Sequence, residues 1–193
     1  MSEETKSYHP WFTIFAAIII VAAATAAYVY FARIPTPYAG QILSVNIYPI
    51  HQNLDQPTSV QGIGGEGDVF NEVLVLANVR VNNVAKIPLY LQDMSLVTSF
   101  PGETDTSSAA SASDFDKLFI AYPDLAKYKK PPMLRNITIQ PGQKIEGMMV
   151  FNYQMDKAKW DTNTGMDIHL SFIHQNPLVL HVSAANSQIV SAR

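Results

Sequence analysis

From Trp11 to Ala32 the chain carries no charged side chain, and the run WFTIFAAIIIVAAATAAYVYFA is 22 residues long. About 20 apolar residues suffice for a helix to cross ~30 Å of hydrocarbon, so the sequence predicts a transmembrane helix over 11–32. Trp11 and Phe12 at one end, and Tyr28, Tyr30 and Phe31 at the other, are the aromatic types that favour the headgroup region, with Lys6 and Arg33 just outside. A cleaved signal peptide with an A-x-A site at Ala24-Thr25-Ala26 is the alternative. The acidic start MSEETK and the apolar run beyond that site argue against it. Ala22 with Ala26, and Ala23 with Ala27, form small-xxx-small pairs suited to contact with another helix. Sparse flanking charge favours residues 1–10 inside and the C-terminal domain extracytoplasmic, a periplasmic placement. The bilayer, with other membrane or envelope proteins, is the expected partner.

Pro35 and Pro37 make residues 33–39 an extended linker, and the domain begins at Gly40. Residues 40–193 have room for one core. A net charge of −3 with 15% charged residues gives no basic footprint for nucleic acid, and the absence of cysteine removes disulfides, thiol nucleophiles and thiolate metal sites.

Seven segments show strand patterning, at 41–50, 72–83, 89–99, 134–139, 144–153, 165–173 and 178–190. In the second, Val73, Val75, Ala77, Val79 and Val81 share one face, and Asn78 with Arg80 mark the other as wet. Pro141-Gly142 predicts a hairpin turn. One short helix is expected in SDFDKLFIAY, opened by a Ser113–Asp116 capping box and stopped by Pro123. The small polar stretch 102–114 before it reads as a long mobile loop. Many antiparallel strands without strand–helix alternation predict an all-β fold, an antiparallel β-sandwich of about seven strands.

The order of a valine-rich strand closing on Asn82, then LYLQDMSLVTS, a loop with a short helix, and IQPGQKIEGMMVF resembles the uncharacterised bacterial immunoglobulin-like sandwich domains carried behind a single N-terminal membrane anchor. The resemblance covers residues 40 to 185. It implies an immunoglobulin-like fold and no assigned chemistry. This chain departs from the family's aspartate-x-x-glycine turn, having Asp93 followed by Met94, Ser95 and Leu96.

GIGGEG, 62–67, spells G-x-G-x-x-G, but it follows a polar stretch and leads into a strand, whereas a dinucleotide loop follows a strand and opens a helix. No cofactor is expected. Glu66, Asp68 and Glu72 are weak candidate ligands for a hard cation. The histidines are His9, His51, His169, His174 and His181, of which His169 and His181 can meet across the last hairpin if the register allows. No nucleophile–base motif stands out, and the lysines of KYKKPP read as a solvated loop. Asn136-Ile137-Thr138 matches a glycosylation sequon inside a predicted strand. The expected function is non-enzymatic: protein–protein contact as an accessory subunit or assembly factor of a membrane complex. A ligand- or metal-binding envelope sensor is the alternative.

Overall fold

In a computed structural model, the structure describes residues 10–31, 37–54, 68–183 and 187–189. The chain divides into two units, Met1–Pro35 and Thr36–Arg193. The first contains helix α1, Pro10–Phe31, in which Trp11 and Tyr28 are exposed, as are all four alanines of the small-residue pairs. Among the described residues, no helix is long and apolar enough to cross a membrane. The expected single-pass anchor and periplasmic placement are corrected accordingly. The side chains of Phe12, Tyr30 and Phe31, expected as belt residues, lie outside the described residues.

The second unit is mostly β, with two sheets and a few short helices, consistent with a β-sandwich. Its strands are β1 (Tyr38–Leu54), β2 (Asp68–Asn83), β3 (Leu89–Phe100), β4 (Glu103–Ser108), β5 (Ile137–Ile139), β6 (Lys144–Tyr153), β7 (Gly165–Phe172), β8 (Leu178–His181) and β9 (Ser187–Ile189). One sheet has the order β6-β2-β1-β9; the other has β4-β3-β7-β8, with β5 pairing β3. Alternation along β2 sends Val73, Val75, Ala77, Val79 and Val81 into the core between the sheets. There they join Leu91, Met94 and Leu96 of β3, Phe151 of β6, and Ile168 and Leu170 of β7.

The other face of β2 is only partly wet. Leu74 and Leu76 are buried in a second core with Tyr48, Ile50, Met148 and Val150, roofed by Phe115 and Phe119 of helix α2 (Ala112–Ala121) and by Leu125 of the 3-10 turn Pro123–Tyr128. Spacing of i, i+4 puts the two phenylalanines on one helix face, their ring centroids 5.0 Å apart. Burying each contributes about 1.5–3 kcal/mol, more than a helix of this length holds by itself. The helix starts earlier than expected: Ser111 is the N-cap, accepting from the Asp114 amide and donating its hydroxyl to the Asp114 carboxylate.

Two expected loops are structured differently. Residues 103–108 form β4 on the edge of β3, because Pro101-Gly102, with Gly102 at φ +83°, closes a two-residue turn between Phe100 and Glu103. The Pro141-Gly142 turn, with Gly142 at φ +75°, does not close a hairpin within one sheet. It carries the chain from β5 in one sheet to β6 in the other.

Asn83 organises that crossing. It is fully buried, and its side-chain amide donates to the carbonyls of Ile87 and Ile139, each at 2.8 Å, while its Oδ1 accepts from the Ala85 amide at 2.9 Å. Its backbone exchanges hydrogen bonds with the turn, donating to Gln143 O at 3.0 Å and accepting from Gly142 N at 2.9 Å. At the far end Tyr153 of β6 donates to Leu96 O at 2.7 Å and accepts from buried Thr98 at 3.0 Å. Burial holds the Tyr153 phenol up at about 12. Trp160 of helix α3 (Lys157–Trp160) closes this end against Tyr153 and Phe100.

The edge of β6 is covered by Pro131–Met133: Met148 N donates to Pro131 O, and Met133 N donates to Met148 O, each at 2.8 Å. This approach requires Gly147, where an added Cβ would lie 2.7 Å from the Met133 backbone.

Asn83→Leu is expected to lower stability by about 3 kcal/mol or more in urea denaturation, since it strands buried carbonyls and an amide. Gly147→Ala is expected to cost about 1–3 kcal/mol by displacing Met133. An unchanged urea midpoint for either variant overturns the corresponding assignment.

Candidate functional site

The antiparallel register of β1, β2 and β6 lays the outer face of their sheet out as a grid. The rows run Ala39–Asn82–Lys144, Gln41–Arg80–Glu146, Ser44–Asn78–Met148, Asn46–Leu76–Val150 and Tyr48–Leu74–Asn152. A register shift between Ile42 and Ser44 keeps polar residues of β1 beside polar residues of β2 along the face. The apolar rows lie beneath the helical roof. At the other end an open cleft of about 500 Å³ is lined by Ala39, Gly40, Gln41, Arg80, Asn82 and Lys144. Small residues on β1 beside long cations on β2 and β6 account for its hollow shape.

Within it the Arg80 guanidinium donates from Nε (3.2 Å) and Nη2 (2.9 Å) to one Glu146 oxygen, and Asn78 donates to the other at 3.2 Å. The Arg80 and Asn78 hydrogen bonds hold the Glu146 carboxyl below the usual range. Asn82 Oδ1 is buried and has no hydrogen-bond partner among the described residues, and the same is true of Asn78 Oδ1. The arrangement offers two cations, one of them already braced by an acid, and an unfilled acceptor. It can recognise a polar, acidic group.

A second polar cluster lies at the opposite end of the face. Glu72 is 6% exposed, and the Tyr122 hydroxyl donates to it at 3.4 Å. Desolvation raises its pKa, partly offset by that hydrogen bond. Tyr48 packs edge-on against Tyr122, ring centroids 6.2 Å apart. On the opposite face of the same strands, the cross-strand pair His51 Nδ1 and Asn71 Oδ1 are 2.6 Å apart.

The expected metal candidates do not assemble. Glu66 and GIGGEG lie outside the described residues, as does the Asp68 side chain, and Glu72 is held beneath Tyr122. Among the described residues no group of three or more His, Asp or Glu side chains can hold a metal ion. His169 pairs with Val179 and His181 with Asp167, the latter at 2.8 Å from Nδ1 to Oδ1, so the two histidines are not opposite each other. His174 sits beyond β7 at φ +58°, and His9 lies outside the described residues. Lys129 of KYKKPP pairs with Asp116 at 3.0 Å and lies over the Phe115 and Phe119 rings, so this lysine clasps the roof. Asn136 of the sequon takes φ +57° just ahead of β5. Arg80 and Asn78 were visible on the wet face of β2; Lys144, Gln41 and Ala39 join them only through register.

Glu72 yields a pH prediction. A carboxyl whose pKa is raised by folding binds its proton more tightly in the native state. Its contribution is then complete below the ordinary glutamate range and is lost as pH rises through the raised value. Glu72→Gln is therefore expected to gain stability relative to the parent at pH 7 compared with pH 4, read as the difference in urea midpoints. An equal difference at both pH values would show that burial of Glu72 does not govern its ionisation.

No family model matches this chain, and no curated protein matches it. The expected membership of the anchored immunoglobulin-like family is corrected on that ground, and because no membrane-crossing helix lies among the described residues. Solved structures do align. A conserved hypothetical protein from Bacillus anthracis aligns at 11% identity over 76% of this chain and 89% of its own, TM-score 0.35. A functionally unknown protein from Listeria monocytogenes aligns at 9% identity over 75% and 87%, TM-score 0.33. A GH20 exo-β-N-acetylglucosaminidase from Vibrio harveyi aligns at 10% identity over 82% of this chain and 19% of its own, TM-score 0.25. At these scores the likenesses describe what the chain is similar to and carry no function.

Proposed function

We propose that the domain is a non-enzymatic module that works by contact with another protein, as an accessory subunit or assembly factor. The observation that carries this reading is the division of one sheet face. Its apolar rows are roofed by α2, while its polar rows are left bare as a cleft with two cations and an unfilled acceptor. A face needed only for packing would be covered along its length or uniformly solvated. Polar groups converging in a hollow are the makings of a recognition surface. The order β6-β2-β1-β9 opposite β4-β3-β7-β8 supports a finer, immunoglobulin-like reading of the sandwich, in which the first two strands share a sheet with β6 and the third joins β7 and β8 in the other. That architecture commonly serves contact surfaces.

A second reading, a ligand-binding sensor, is favoured by one observation: about 500 Å³ lies within the ~300–1,000 Å³ range of small-molecule sites.

Crosslinking and co-purification of the full-length protein from its native cells separate the two. The contact reading expects a defined protein partner, captured by the parent and reduced at least tenfold by the Arg80→Glu, Lys144→Glu double variant. A chain that emerges alone, but gains thermal stability from a small molecule, overturns it in favour of the sensor.

A further inference from the structure

The chemistry of the cleft narrows the partner, and this step rests on the contact reading above. The geometry points to an acidic peptide segment as the occupant of the cleft formed by Lys144, Arg80, Asn82 and Gln41. Lys144 and Arg80 are neighbours on the grid, in adjacent rows of adjacent strands. Glu146, two residues along β6 from Lys144, is occupied by Arg80 and Asn78. Lys144 lines the cleft with no ion pair to another described residue, so an incoming carboxylate meets a cation that the fold has not neutralised. Glu146 fixes the position of the Arg80 fork, and a guanidinium has further N–H groups to offer.

The size of the cleft decides between kinds of anion. It is open and holds about 500 Å³, and a single phosphate or carboxylate fills only a small part of such a hollow. An extended acidic peptide segment fills it along its length and brings its carboxylates to Lys144 and Arg80 together. Ala39 and Gly40 supply the shallow floor over which such a backbone lies. A basic peptide, by contrast, would face two cations.

The test uses the full chain and a fluorescein-labelled peptide of alternating glutamate and glycine, ten residues long, followed by anisotropy. Saturable binding is expected, weakening at least fivefold between ~50 and ~200 mM salt as ionic contacts are screened. Lys144→Gln is expected to weaken it at least tenfold, with thermal melting unchanged to show that the fold is kept. Free glutamate and inorganic phosphate at millimolar concentration are expected to compete poorly. Equal binding of a lysine–glycine peptide, no effect of Lys144→Gln, or full competition by phosphate would each overturn the inference. The two readings fail separately. A protein partner captured from cells equally well by parent and Lys144→Gln leaves the contact function standing and removes the acidic segment. Loss of every partner removes the contact function itself.

Discussion

Asn83 is the point on which the two sheets depend. A β-sandwich needs its chain to pass from one sheet to the other, and each passage carries backbone polar groups through or beside an apolar core. Here β2 ends, the turn to β3 begins, and β5 hands over to β6 within reach of one side chain. Asn83 meets them with two amide donors, one carbonyl acceptor and its own peptide group. An apolar residue of the same volume would fill the space and leave those groups unpaired, at a cost comparable to a sizeable fraction of a domain's net stability. Tyr153 performs a smaller version of the task at the other end, joining β6 to β3 through Leu96 and Thr98.

Between these two polar ties lies β2, and its two faces have different fates. From Val73 to Val81 the inner face is valine and alanine. The outer face changes character along its length, from Leu74 and Leu76 to Asn78, Arg80 and Asn82, and the helical roof stops where the leucines stop. The cleft is the remainder of that face. Its position follows from where apolar burial ends, and its depth from small residues on β1 beside Arg80 and Lys144.

The strands and their inward faces were legible because period-two alternation records burial directly: Val73 to Val81 could be read as a core stripe without knowing what they packed against. Less legible was anything resting on turns or exposed backbone. Pro-Gly occurs at 101–102 and again at 141–142. The first makes a hairpin within a sheet and the second a crossing between sheets, and the dipeptide is the same in both. β4 contains no apolar residue, so its pairing with β3 left no trace in hydropathy. The apolar run at 11–32 announced a helix correctly, but the inference from helix to membrane anchor does not stand among the described residues.

By itself, then, the sequence determined a mostly-β domain, the core stripe of β2, one short amphipathic helix and the absence of disulfides. Those features depend on residues near one another in the chain, through alternation, capping and composition. Tertiary structure alone decided that Arg80 meets Glu146, that Lys144 stands beside Asn82, that His181 faces Asp167 and not His169, and that Glu72 is covered by Tyr122. Each is a pairing across strands or layers. A slip of one residue would turn every side chain of a strand to the opposite face, so only the register of the assembled sheets specifies them.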